Sequence, residues 1–177
     1  MKIIGVLRGI NVGGHHKVSM TELQNIIAEI GGINVKTILN SGNIVFETAQ
    51  TDSVALELKI ENHLLNFYNF KIPVIIKTET EINHLLLQKP FEKINIHKNI
   101  RLYVTFLKDE PAFELPIPYS SSDAAFQIIY INNRIVCSVL DLSITKTTKE
   151  MEELERLFGK NCTTRNWNTV VKIANSF

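Results

Sequence analysis

The chain has 177 residues, 45% of them hydrophobic, with 19 basic against 18 acidic side chains and a net charge of +1. That length and apolar content can bury the core of one domain or of two small ones. The near-neutral charge supplies no long-range field for a polyanion, which argues against duplex nucleic acid as the main partner, and no apolar run approaches the roughly 20 residues of a membrane span.

The first residues, Met1-Lys-Ile-Ile-Gly-Val-Leu7, carry one basic residue before Arg8 cuts the apolar run, so residues 3–10 read as a buried strand and not as a signal peptide. Ser19-Met-Thr-Glu22 is a capping box that opens a helix with Met20, Leu23, Ile26, Ile27 and Ile30 on one stripe, stopped by Gly31 and Gly32. Residues 35–39 and 44–47 read as strands around the turn Asn40-Ser-Gly-Asn43. Asp52 caps a second helix whose stripe includes Leu56, Ile60, Leu64 and Phe67, and residues 73–77 form a fourth strand. The order β-α-β-β-α-β is the ferredoxin-like unit.

Residues 79–88 read as a connecting helix ending before Pro90, and a similar series then begins again. Residues 100–108 are a strand, and residues 109–122 are a loop rich in proline and serine. Residues 126–131 and 134–140 flank Asn132-Asn133, a hairpin turn signal. Residues 149–158 read as a helix, and a last helix over 166–176 carries Trp167, Val170, Val171 and Ala174 on one stripe, with Trp167 as a core knob. The fold class expected is therefore α+β, with a ferredoxin-like half over 1–78, a connecting helix and linker over 79–98, and a second, degenerate ferredoxin-like half with a C-terminal helix over 99–177. Cys137 and Cys162 lack metal-ligand spacing, and a reduced, cytoplasmic setting is expected.

Three segments are candidates for chemistry. The first is Arg8-Gly-Ile-Asn-Val-Gly-Gly14 with Lys17. A glycine-rich turn between a strand and a helix leaves backbone N–H groups for an anion, and Gly9, Gly13 and Gly14 permit backbone shapes that other residues resist. Arg8 can grip an oxyanion in two places, Lys17 adds charge, Asn11 both donates and accepts, and His15 and His16 add donors or a proton carrier. The spacing is neither Walker nor Rossmann, and a chain-reversing loop with Arg8 in a salt bridge is the alternative. The second segment is Thr163-Thr-Arg-Asn-Trp-Asn-Thr169, where Thr164 or Asn166 can cap the last helix and Arg165 lies beside its positively polarised end. An arginine there is unfavourable unless an anion or acid is near, so Arg165, Asn166 and Asn168 are candidate ligand groups, with structural roles as the alternative. The third is the turn with Ser41 and Asn43, expected at the opposite end of the sheet from the first loop, so that the two need not meet. No metalloprotease, deaminase or nucleophile-elbow motif occurs, no catalytic set stands out, and neither metal nor cofactor is expected.

Together these segments resemble the signatures of a bacterial family, the domain of unknown function 1697 family. Val18-Ser-Met20, Pro73-Val-Ile75, Pro90-Phe91 and Tyr103-Val-Thr-Phe-Leu107 resemble its pattern in the same order, over nearly the whole chain. The resemblance implies a small α/β protein of two ferredoxin-like halves, with signature residues at Arg8, Gly9, Asn11, Gly13, Gly14, Ser41, Gly42, Asn43, Arg165, Asn166, Trp167 and Asn168, and it carries no activity. Ser19 stands where proline is common in the family, and Asn40 where glutamine is.

The function expected is binding of a small anionic ligand, a phosphorylated metabolite or nucleotide, at a composite site of these segments. A single-stranded nucleic-acid module would instead use Phe46, Tyr103 and Phe106 on an open sheet face. A structural or oligomeric adaptor would use exposed strand edges or the loop from Pro111 to Pro118. The sequence assigns neither a reaction nor an oligomeric state.

Overall fold

A computed structural model describes residues 1–145 and 149–177. The chain divides into two units, Met1–Asn83 with Lys172–Phe177, and His84–Val171. The fold is α+β, and each unit is ferredoxin-like, the second in degenerate form.

The first unit runs β1 (Lys2–Leu7), α1 (Met20–Glu29), β2 (Ile33–Ile38), β3 (Asn43–Glu47), α2 (Ser53–Tyr68), β4 (Val74–Thr78). Its sheet has the order β2-β3-β1-β4, antiparallel throughout. Half of the capping box forms: Ser19 Oγ accepts from the Glu22 N–H at 3.4 Å, while the Glu22 carboxylate accepts from the Tyr68 hydroxyl at 3.3 Å and not from the Ser19 N–H. Gly31, at φ +98, takes the chain out of α1. Asp52 accepts from the Val54 and Ala55 N–H groups and starts α2. Leu23, Ile27, Ile60 and Leu64 of the helices meet Ile3, Leu7, Ile44, Phe46, Val74 and Ile76 of the sheet in one apolar cluster. Each such side chain contributes about 1.5–3 kcal/mol by leaving water. Phe67 does not join the stripe expected of it and is exposed.

Two boundaries differ from the sequence expectation. β1 ends at Leu7, not at residue 10, because Gly9 and Asn11 adopt left-handed backbone at φ +71 and +56 and turn the chain away. The β2–β3 turn spans residues 39–42, since Leu39 is left-handed at φ +61 and Asn43 already pairs with Ile38 and Val6.

β4 lies at the sheet edge, and its outer N–H groups do not stand open. Those of Val74, Ile76 and Thr78 donate to carboxylates of Glu61, Glu57 and Glu81, each at 2.8 Å. Acceptors placed at alternate residues blunt an edge that would otherwise template another strand.

α3 (Glu79–Leu87) leads to the second unit, which runs β5 (Ile100–Leu107), β6 (Tyr119–Ser120), β7 (Phe126–Asn132), β8 (Ile135–Asp141), α4 (Lys149–Phe158), β9 (Cys162–Asn166), α5 (Trp167–Ala174). The order β6-β7-β8-β5-β9 repeats the first sheet once the two-residue β6 is set aside. Between β5 and β7 no helix crosses, and this is the degenerate part. The repeat reaches single bonds: Leu7 N–H donates to Gly42 O at 2.8 Å in the first unit, and Leu107 N–H to Arg134 O at 2.9 Å in the second. Leu107, Phe126, Ile128, Val136, Leu140, Leu154 and Cys162 form the second core.

Two expectations for this half need correction. The β7–β8 turn uses Asn133 and Arg134, both left-handed at φ +46 and +61, not Asn132-Asn133. A bulge between Ile128 and Tyr130 shifts the register by one residue, so Asn132 pairs with Ile135. The segment before the last helix is not a cap but strand β9, and α5 begins only at Trp167. Thr105 and Thr164 join β5 to β9 through their hydroxyls at 2.8 Å.

Candidate functional site

The glycine segment after β1 folds into a miniature hairpin. Val12 and His15 form a bridge, with His15 N–H donating to Val12 O at 3.1 Å. Gly13 and Gly14 between them are both left-handed, at φ +60 and +80, as a primed hairpin turn requires. Asn11 N–H donates to His16 O, and the His16 ring stacks on Phe70 with centroids 4.4 Å apart. His15, Lys17, Gly13 and Gly14 are exposed, and Arg8 is half-buried at the strand end with its N–H on Pro73 O.

This hairpin and the turn that carries Ser41 and Asn43 lie at the same end of the sheet, contrary to expectation. In this topology β1 and β2 run parallel on either side of β3, so both finish at one end. Asn11 joins the two segments: its Nδ2 donates to Asn40 O at 2.9 Å and to Val18 O at 3.0 Å, while its Oδ1 accepts from Val18 N–H at 2.9 Å. Asn43 is fully buried, and its Nδ2 donates to Ile38 O at 2.7 Å and to Ser41 Oγ at 3.0 Å. The Asn43 amide therefore holds its own turn, and the Asn11 amide holds its own loop and ties it to that turn.

In the second unit the groups divide differently. Arg165 sits within β9, paired with Val104, and not at a helix start. Its side chain is buried and donates from Nη1 to Thr163 Oγ1 at 2.8 Å and to Thr164 O at 2.9 Å. Burial holds its guanidinium down to about 10, below the usual arginine range. The helix-dipole mismatch expected for Arg165 does not arise. Asn166 and Asn168 flank Trp167 at the junction of β9 and α5 and are exposed, and their side-chain amides make no hydrogen bond among the described residues.

These three residues line a cleft of about 740 Å³ together with Leu86, Lys89, Phe91, Glu92, Ile96, Ile100, Arg101 and Leu102. A volume of this order is in the range of small-molecule sites. Trp167 is half-buried, not the enclosed core knob expected, and Phe91 packs edge-to-face against it with centroids 5.1 Å apart. Arg101 donates from Nη1 to Lys98 O at 2.7 Å and to Ile100 O at 3.0 Å, which fixes its guanidinium, while Nε and Nη2 have no partner among the described residues. Lys89 pairs with Glu92 at 3.3 Å on the rim. Sequence reasoning missed Arg101, Lys89 and Phe91. The signals were a lone arginine in an otherwise apolar strand start and, for Phe91, its place in the Pro90-Phe91 segment of the family resemblance.

The asparagines can be told apart by stability. Asn43→Ala is expected to cost about 2–3 kcal/mol, because Ile38 O loses a buried partner. Asn168→Ala is expected to stay within about 0.5 kcal/mol of wild type in urea unfolding, as an unengaged surface side chain should.

A family model described as protein of unknown function (DUF1697) matches residues 1–135. The chain belongs to this family. A solved structure of a conserved bacterial protein from Streptococcus pneumoniae is similar to it, with a TM-score of 0.76 at 22% sequence identity, covering 98% of this chain and 97% of that one. That likeness shows the shared fold. No curated protein matches the chain. Among the described residues no helix is long and apolar enough to cross a membrane, and no group of three or more histidine, cysteine, aspartate or glutamate residues is placed to hold a metal ion. Of the three aromatics expected on an open sheet face, Phe46 and Phe106 are 2% and 1% exposed and cannot stack on a base, and Tyr103 is half-buried against the second core.

Proposed function

We propose that this protein binds a small anionic ligand, a phosphorylated metabolite or nucleotide, in the cleft where β9 meets α5. The observation that carries this reading is the Arg101 guanidinium, held in place by two backbone carbonyls with donors left over on the cleft. A pre-positioned guanidinium grips an oxyanion at low entropic cost. The first-turn N–H groups of α5 add partial positive charge, and Asn166 and Asn168 supply amides with both donor and acceptor capacity. The lining residues include no nucleophile paired with a base, so the reading is of binding, with no reaction assigned.

Thermal unfolding against a panel of nucleotides and sugar phosphates tests it. At least one member is expected to raise the wild-type melting temperature, and Arg101→Ala is expected to weaken that ligand about tenfold or more, the equivalent of one charge-assisted contact. A panel that stabilises neither protein, or both equally, would refute the proposal.

A further inference from the structure

We infer that the cleft recognises its ligand through a planar heteroaromatic ring, so that it takes a nucleotide by its base and not a sugar phosphate by its hydroxyls. The inference rests on the ligand-binding reading above. Its source is the make-up of the walls. Leu86, Ile96, Ile100 and Leu102 form apolar surface, with Trp167 beside them. A sugar phosphate carries hydroxyls on all sides, and those set against aliphatic walls would lose water without gaining partners, at roughly 1–3 kcal/mol each. A base has two apolar faces and a polar edge. Its faces match the aliphatic wall and the Trp167 ring, and base–aromatic stacking is sequence-tolerant and favourable.

The polar edge has partners as well. Asn166 and Asn168 stand on either side of Trp167, at the last residue of β9 and in the first turn of α5, with amides unengaged among the described residues. A carboxamide offers a donor and an acceptor side by side, the pattern that pairs with the edge of a base. Phe91, 5% exposed and inclined at 65° to Trp167, props the indole from one direction without stacking parallel to it. Arg101 then remains for the phosphate.

Trp167 is the chain's single tryptophan, so its emission reports on this cleft alone. The test titrates the four common ribonucleoside monophosphates, adenosine and ribose 5-phosphate while following that emission and, in parallel, heat by calorimetry. At least one nucleoside monophosphate is expected to bind tenfold or more tightly than ribose 5-phosphate and to quench Trp167. An Asn166→Ala, Asn168→Ala variant is expected to lose about tenfold for the nucleotide and so to narrow its preference over ribose 5-phosphate. Trp167→Leu should lose more, and the surface asparagine variant keeps the test valid if that substitution disturbs folding. Ribose 5-phosphate binding as tightly as every nucleotide would overturn the inference while leaving the anionic-ligand reading intact. Binding by no member of the series would overturn both.

Discussion

Gly42→Ala is expected to lower the unfolding free energy by about 3 kcal/mol, adding left-handed backbone strain to overpacking. Gly42 is buried in the β2–β3 turn at φ +75, a region where a side chain is disfavoured. A Cβ there would lie 2.6 Å from Ile10 Cδ1 and 2.8 Å from Leu7 Cβ. The isoleucine tip can swing aside, but the Leu7 Cβ is fixed to a central strand and can move only with its backbone. That strand also donates its Leu7 N–H to Gly42 O, so the shift would weaken the bond that ties the turn to β1. Gly13→Ala is the control. Gly13 is left-handed too, at φ +60, but no atom lies within 4 Å of its Cβ position. It should cost about 1 kcal/mol, from backbone strain alone. Equal midpoints in urea for the two variants would contradict this account of the turn.

The second large effect is expected at Glu81. Its carboxylate accepts from Thr78 N–H and Thr78 Oγ1 through Oε2, and from Lys77 Nζ through Oε1 at 2.9 Å. The Lys77 side chain is 1% exposed, so Glu81→Gln leaves a buried ammonium without this counter-charge. The expected loss is about 2–3 kcal/mol at neutral pH, near the low end for a broken buried pair because Glu81 is partly exposed. Burial alone would raise the Glu81 pKa, but the Thr78 bonds and the Lys77 ammonium outweigh it and hold the carboxyl below its usual range. A carboxyl with a lowered folded pKa contributes stability in full above its unfolded value of about 4.3 and loses it as pH falls through the folded value. The gap between wild type and Glu81→Gln should therefore be full at pH 7 and shrink steadily below about pH 4. A gap that stays constant to pH 2.5, or widens on acidification, would show that the charge on Glu81 does not matter.

Much of this architecture was legible in the residues. Ser19 and Asp52 announce their helices because a cap is a local contact between neighbours in sequence. The apolar runs of β1, β3 and β4 announce strands because each side chain there is buried whichever way it points. β9 was not legible, since Cys162-Thr-Thr-Arg-Asn166 has neither an apolar run nor alternation, and it is extended because β5 offers it an edge. The same limit governs the site. Asn11, Asn43, Asn166 and Asn168 look alike as residues in glycine- or threonine-rich segments. Whether an amide meets its own backbone or an open cleft depends on what the fold places beside it, and the first two meet backbone. Arg101 was passed over because its neighbours in the cleft come from distant segments that no local pattern connects.

Where a nucleotide sits on the protein separates the cleft at the β9–α5 junction from the glycine hairpin after β1. Amide ¹H–¹⁵N spectra recorded across a titration with a stabilising nucleotide would report it residue by residue. The Trp167 indole signal and the side-chain amides of Asn166 and Asn168 are expected to shift and saturate together, with Gly13, Gly14 and Lys17 unmoved. Saturating shifts confined to the glycine hairpin, with the Trp167 indole unmoved, would contradict the claim and return the site to the segment after β1.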